Sequence, residues 1–336
     1  MNHGFLGFFL ISLIFCRAKQ LKRLKRTKLL KPQKLLKLLK QKTLPLQKNS
    51  KMSSIKIIEC PRDAMQGIHD FIPTDIKVEY VNALLKVGFD TLDCGSFVSP
   101  KAIPQMRDTH SVLSRLQLQD TQTKLLTIVA NERGATTACD YDEIHYLGYP
   151  FSISETFQQR NTKKSIEESV ELVERMLNLC QMHAKSLVVY VSMAFGNPYD
   201  DFWDVALLEH WVDRLVGIGV EILSLSDTVG VAQPEIIANT FDVMTHHYPK
   251  VEFGAHFHTT PETWEEKVNA AFAYGCHRFD GAIKGYGGCP MAKDDLVGNM
   301  PTEKLLGFFE EKNVNLNLNM EAFQEAMAIS KRVFVV

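Results

Sequence analysis

Nowhere in the 336-residue chain do two cysteines stand in CxxC spacing, and their total of seven is odd. That usage argues against a disulfide framework and for reduced thiols. No apolar run is long enough for a confident membrane span: Gly4 to Cys16 is only 13 residues, and its positive charges follow it instead of preceding it as in a signal peptide. Acid is absent from residues 1–51, which carry 14 Lys and Arg. Of 38 basic and 39 acidic residues in all, residues 52–336 therefore keep 38 − 14 = 24 basic and 39 acidic, a net of −15. The near-zero total hides a basic tail on an acidic body. Such a body lacks the concentrated positive surface that phosphate backbones require, so nucleic acid is not the expected partner.

The tail is low in complexity and rich in Lys and Leu, as in Lys34-Leu35-Leu36-Lys37-Leu38-Leu39-Lys40. It reads as translated non-coding DNA ahead of a true start at Met52, as a basic amphipathic helix on a membrane surface, or as an acid-poor organelle presequence. The first is preferred, because Met52 opens a compact strand directly. The expected division is then a tail, 1–51, and a folded body, 52–336. The expected location is cytoplasmic, without stable membrane insertion, or the mitochondrial matrix if the tail is a presequence.

With 45% hydrophobic residues, the chain has enough apolar material for a large core. From Ile55 onward short β-branched runs alternate with stretches of helical period. The runs are Ile55–Cys60, Phe89–Ser96, Lys124–Ala130, Glu143–Phe151, Ser186–Gly196, Glu221–Thr228, Val251–His258 and Arg278–Ile283. Helices are predicted over Ile166–Ala184, where Ser165 and Glu168 make a capping box, and over Trp203–Gly217. Eight such units in about 250 residues predict an α/β fold, a closed (β/α)8 TIM barrel with extra C-terminal helices. A doubly wound open sheet is the alternative, weakened by the lack of a GxGxxG turn after the first run.

In such a barrel, chemistry gathers where strands end. The first run ends in Pro61-Arg62-Asp63, the second carries Asp93 and Ser96, the sixth ends in Asp227-Thr228, and the seventh ends in His256-Phe257-His258. Two-residue spacing on a strand turns both imidazoles to one face, which is half of a metal site. After the eighth comes Gly285-Tyr286-Gly287-Gly288-Cys289-Pro290. Each has an ordinary structural reading taken singly: a surface ion pair for Arg62 and Asp63, a helix cap for Asp227, a small buried hydrophobe for Cys289. Together, at one end of a barrel, they point to catalysis.

These motifs, with Phe97-Val98-Ser99-Pro100-Lys101, Pro104-Gln105-Met106 and Gly287-Gly288-Cys289-Pro290, make the chain resemble the hydroxymethylglutaryl-CoA lyase family of the metal-dependent lyase and aldolase superfamily, from about Ile55 to Ser330. The resemblance implies a divalent metal, Mg2+ or Mn2+, held by Asp63, His256, His258 and Asn299. It implies an acyl-CoA substrate cleaved to acetoacetate and acetyl-CoA, with Arg62 and Ser96 on the substrate. Cys289 is the implied proton donor, supported by Asp227, Asp93 and His256. Similar enzymes are often dimers, so by analogy a homodimer is the expected assembly. A mixed oxygen and nitrogen ligand set suits octahedral Mg2+ or Mn2+ better than a structural zinc.

The sequence departs from the family pattern at four places: Ala64-Met65 after the Arg-Asp pair, Thr259 after the second histidine, Asp93 in place of a Glu, and a span one residue longer between Cys289 and Asn299. Asp294 and Asp295 in that span are competing oxygen donors. Two other functions stay open on residues alone: a related synthase or 2-oxo acid aldolase, and a non-catalytic barrel.

Overall fold

Strands that pair in parallel around a barrel are covered on both faces, by helices outside and by the filled lumen within. The computed structural model describes residues 54–288 and 297–334. Strands β1 (Lys56–Glu59), β2 (Thr91–Ser96), β3 (Lys124–Ile128), β4 (Ile144–Ser152), β5 (Ser186–Ser192), β6 (Ile222–Asp227), β7 (Glu252–Thr259) and β8 (Arg278–Gly281) pair in parallel in sequence order. β8 also pairs with β1, through Ile58 opposite Asp280, so the ring closes and no open doubly wound sheet remains. Closure removes the free edges that an open sheet must protect.

Each strand falls where a run was predicted, with small differences at the ends. β5 stops at Ser192 and not Gly196, because Met193 turns to φ 59° and gives its N–H to Thr228 Oγ1 at 2.9 Å. Around the ring lie α1 (Pro61–Gln66), α2 (Thr74–Leu85), α3 (Thr109–Leu113), α4 (Glu132–Cys139), α5 (Glu155–Thr162), α6 (Ile166–Met182), α7 (Val205–Gly217), α8 (Pro234–His247), α9 (Trp264–Ala273), α10 (Thr302–Glu311) and α11 (Met320–Val333). The Ser165 and Glu168 capping box opens α6 as predicted. α7 begins at Val205 and not Trp203: Asp204 caps it by accepting the Leu207 N–H at 2.7 Å, while the Trp203 indole donates to Ala194 O at 3.1 Å. α10 packs on β8 and α9 as the eighth barrel helix, which leaves α11 as the surplus C-terminal one. It lies on α2, with Phe334 edge-on to Tyr80 at 6.0 Å and Phe323 against Phe89 at 6.3 Å. No helix among the described residues is long and apolar enough to cross a membrane.

Period two divides the core in two. On β5, Leu187, Val189 and Val191 join the shell between sheet and helices, whereas Val188 and Tyr190 meet Leu126, Ile128 and Tyr146 inside the barrel. The lumen is filled: a Cβ on Gly148 would stand 2.6 Å from Ile128 Cδ1 and 3.1 Å from both Leu126 Cδ2 and Tyr190 Cε2. Each fully buried aliphatic side chain contributes about 1.5–3 kcal/mol to this packing.

One buried carboxylate ties the catalytic end together. Glu59, at the end of β1, accepts the Ile283 N–H at 2.9 Å and the Thr302 hydroxyl at 2.5 Å, so it holds both the start and the finish of the 283–302 connection. Burial lifts its carboxyl from 4.5 to about 8, against the two hydrogen bonds. A carboxyl whose pKa is raised on folding binds its proton more tightly in the folded state. Its stabilisation is therefore full below the unfolded value and is lost as pH rises toward the folded one. The melting temperature of Glu59→Gln should gain on the parent progressively from pH 5 to pH 8, since the amide keeps the shape without the charge. Parallel melting curves at the two pH values would remove this account of Glu59.

Candidate functional site

Pro61 sets the first turn of α1 directly after β1, which buries Arg62 and Asp63 at the mouth of the barrel. The Arg62 guanidinium is pinned on two sides. Nε meets both oxygens of Asp93 at 3.0 and 3.1 Å, Nη2 meets Asp93 Oδ2 at 2.5 Å, and Nη1 meets Asp63 Oδ1 at 3.0 Å and Gln66 Oε1 at 2.8 Å. Of the five guanidinium N–H bonds, these contacts leave one on Nη2 for another oxygen. Burial works against the charge on Arg62, but Asp93 and Asp63 outweigh it and hold the guanidinium cationic. Burial likewise works to raise the Asp63 carboxyl, yet Arg62 and the two histidines keep it below the usual carboxylate range. At Asp93 burial prevails over Arg62 and lifts the carboxyl to about 6.

On β7 the period of two brings the His256 and His258 rings together at 5.5 Å between centroids. One ligand atom each from Asp63, His256 and His258 lies within 4.8 Å of the others. Asn299 arrives on the two-residue strand β9 (Gly298–Asn299), antiparallel to β7 with Asn299 opposite His258. Its Nδ2 donates to Asp63 Oδ2 at 2.8 Å and Tyr286 O at 2.9 Å, so its Oδ1 is the atom on offer. Thr259, the departure next to His258, bonds the Asn299 carbonyl at 3.5 Å. Gly287 lets the connection lie on this group: its φ is +88°, and a Cβ there would stand 2.6 Å from Ala64 Cα and 2.8 Å from Asp63 O.

Behind the imidazoles stands Asp280 of β8, whose Oδ2 meets His256 Nδ1 at 3.0 Å. Burial pulls His256 down, but Asp280 outweighs it and lifts the imidazole above its ordinary value. Among the described residues His258 shows no hydrogen bond to a carboxylate; burial, with the charge of His256, outweighs the nearby Asp63 and pushes the imidazole down to about 4. It is neutral at pH 7 beside an ionised Asp63, which are the protonation states a cation needs from its ligands.

Other expected residues stand further back. Asp227 pairs with buried Lys267 at 2.7 Å and accepts the Ala232 N–H at 3.1 Å; among the described residues it shows no hydrogen bond to Arg62, Asp63 or His256. Lys267 also donates to His258 O at 3.1 Å, so Asp227 braces the strand that carries the histidines. Ser96 is spent locally, giving its hydroxyl to Ile128 O at 3.3 Å and accepting the Val98 N–H at 3.2 Å. Cys289, Asp294 and Asp295 lie outside the described residues. Glu59, Lys267 and Asp280 escaped the sequence reading. For Asp280 a signal existed: Arg278 and Asp280 are two apart on a strand, two charges on one face of a buried run.

A carboxylate held ionised, a neutral imidazole, a second imidazole oriented by its own carboxylate and an amide oxygen make a donor set that fits a divalent cation. Fold and site together define a (β/α)8 barrel whose strand ends carry a cluster of side chains able to hold a metal ion, beside a fixed arginine. Residues 55–330 match the HMGL-like family model, and the chain belongs to that family. It is 30% identical over 266 residues to hydroxymethylglutaryl-CoA lyase YngG of Bacillus subtilis, covering 79% of this chain and 88% of that one. It is 30% identical over 287 residues to the mitochondrial hydroxymethylglutaryl-CoA lyase of Mus musculus, covering 84% and 85%. An HMG-CoA lyase from Acinetobacter baumannii, solved with coenzyme A and 3-methylmalate, superposes with a TM-score of 0.78 at 26% identity, over 85% of this chain and 93% of that one. Curated relatives include mitochondrial and cytoplasmic forms.

Proposed function

We infer that the chain is a hydroxymethylglutaryl-CoA lyase, cleaving 3-hydroxy-3-methylglutaryl-CoA to acetoacetate and acetyl-CoA. The observation that carries this reading is the Asp63, His256 and His258 cluster beside Arg62, in a chain whose relatives are lyases. The same relatives disfavour the synthase or aldolase alternative. Asp63, His256, His258 and Asn299 would hold Mg2+ or Mn2+, an oxygen-preferring ion, which supplies Lewis-acid polarisation of the substrate oxygens.

In the proposed reaction the proton of the 3-hydroxyl passes to Asp93, whose raised carboxyl lies in the range useful to a general base. The C2–C3 bond breaks, C3 becomes the ketone of acetoacetate, and the electron pair moves into the thioester enolate. Arg62 offers its remaining N–H to that oxygen. Cys289 protonates C2, and Asp227 and Ser96 hold the strand ends that frame the substrate. Incubation with Mg2+ and 3-hydroxy-3-methylglutaryl-CoA, followed by assay of acetoacetate, tests the function directly; absence of acetoacetate overturns it. A thiol alkylator should inactivate the enzyme, substrate should protect it, and Cys289→Ser should resist. Unchanged sensitivity of the serine variant would remove Cys289 from the mechanism.

A further inference from the structure

One of the two imidazoles belongs to a second group of ligand atoms. A side-chain ligand atom from each of Cys60, His256 and Asp280 lies within 4.8 Å of the others, one register step deeper in the barrel, where Asp280 stands level with Ile58 of β1 and His256 of β7. Cys60 is 1% exposed and Asp280 3%. Two polar atoms in this part of the lumen have no hydrogen-bond partner among the described residues: Oδ1 of Asp280, and Oη of Tyr190, whose ring lies 5.6 Å from that of His256. A buried carboxylate oxygen without a donor is costly. Buried Arg278, two residues back on the same face, supplies Asp280 with charge at a distance but no hydrogen bond, so Oδ1 is still on offer to a cation.

We propose that Cys60, His256 and Asp280 form a second cation site, thiolate-containing and selective for Zn2+ or Cd2+, whose filling withdraws His256 from the outer Asp63–His256–His258 group. The thiol proton leaves to solvent when the cation enters. Thiolate and carboxylate then balance the two positive charges, which suits a buried lumen, while sulfur selects the softer ion. The outer group has a single carboxylate charge and no sulfur, so it keeps net positive charge for substrate oxygens and suits Mg2+. The two sites exclude each other by valence. A neutral imidazole has one lone pair; with Nδ1–H given to Asp280 that pair is on Nε2, whereas ligation through Nδ1 moves the proton to Nε2. A cation in the inner site is thus a dead end for turnover.

The binding half is independent of the lyase reading; only the effect on turnover rests on it. The test uses the whole purified protein, stripped of metal and given one equivalent of Co2+ as a spectroscopic probe. The parent and Cys289→Ser should show the near-ultraviolet thiolate-to-cobalt band, and Cys60→Ser and Cys60→Ala should not. With Mg2+ present, both Cys60 variants should keep parental turnover and lose sensitivity to added Zn2+ or Cd2+ on the order of tenfold or more. No band in the parent, or a band that survives in the Cys60 variants, overturns the site. A band that behaves as expected with no Zn2+ inhibition overturns the withdrawal of His256. A protein that shows the band yet makes no acetoacetate rejects the lyase reading and leaves the site standing.

Discussion

Arg62→Lys is expected to lower turnover by about a hundredfold or more while leaving the barrel folded. Two effects combine. The guanidinium divides its N–H groups between Asp93, Asp63 and Gln66 and has one left for a developing oxyanion. A lysine ammonium has three donors and no fork, so it cannot serve both carboxylates and the substrate at once. Loss of a single preorganised donor to an oxyanion costs about 2.7–4 kcal/mol, and that alone is roughly a hundredfold to a thousandfold in rate. The second effect is on the ground state: Asp93 is 0% exposed and leans on Arg62 for its charge. Without the fork its carboxyl rises further above about 6 and becomes a proton holder at neutral pH instead of a base. The rise should appear as a shift of the acidic limb of the pH–rate profile to higher pH in the variant. Turnover within a few-fold of the parent, with the limb unmoved, would exclude Arg62 from both roles.

The strands were legible because a barrel buries both faces of each one, so β-branched and apolar residues crowd into short runs, such as Val188-Val189-Tyr190-Val191, that stand out against the polar helix faces. The ends of the strands were legible for the opposite reason: charged residues at the close of apolar runs, Arg62-Asp63 and His256-Phe257-His258, need a reason to be there. Partners across the barrel were not legible. Lys267 sits on α9, among residues of helical period, and only the fold shows that it reaches Asp227 and the His258 carbonyl. Glu59 reads as the polar end of a strand until Ile283 and Thr302, more than two hundred residues away, are brought to it. β9 is two residues long and has no periodicity to detect, yet it is the element that delivers Asn299 to Asp63. Local pattern carries local structure; a buried charge is explained only by what closes over it.

Asp280→Asn tests whether the carboxylate behind His256 is part of the cation site's working parts. The Nδ1 of His256 is 3.0 Å from Asp280 Oδ2, an arrangement that fixes the ring and leaves Nε2 as the lone pair on offer. An asparagine can accept the same hydrogen bond through its oxygen, but it brings no charge, so the imidazole loses basicity and becomes a poorer ligand. Its amide N–H can also turn toward Nδ1 and force the wrong tautomer. Changes of this kind typically cost about 10–100-fold in metal affinity. Titration of the metal-free protein with Mn2+, read by the loss of the free-ion electron paramagnetic signal, should show that drop for Asp280→Asn. Cys60→Ser should bind Mn2+ as the parent does, because sulfur belongs only to the inner group. Affinity for Mn2+ that is unchanged in Asp280→Asn would mean that His256 is oriented by the strand alone, and the carboxylate would then have no part in the outer site.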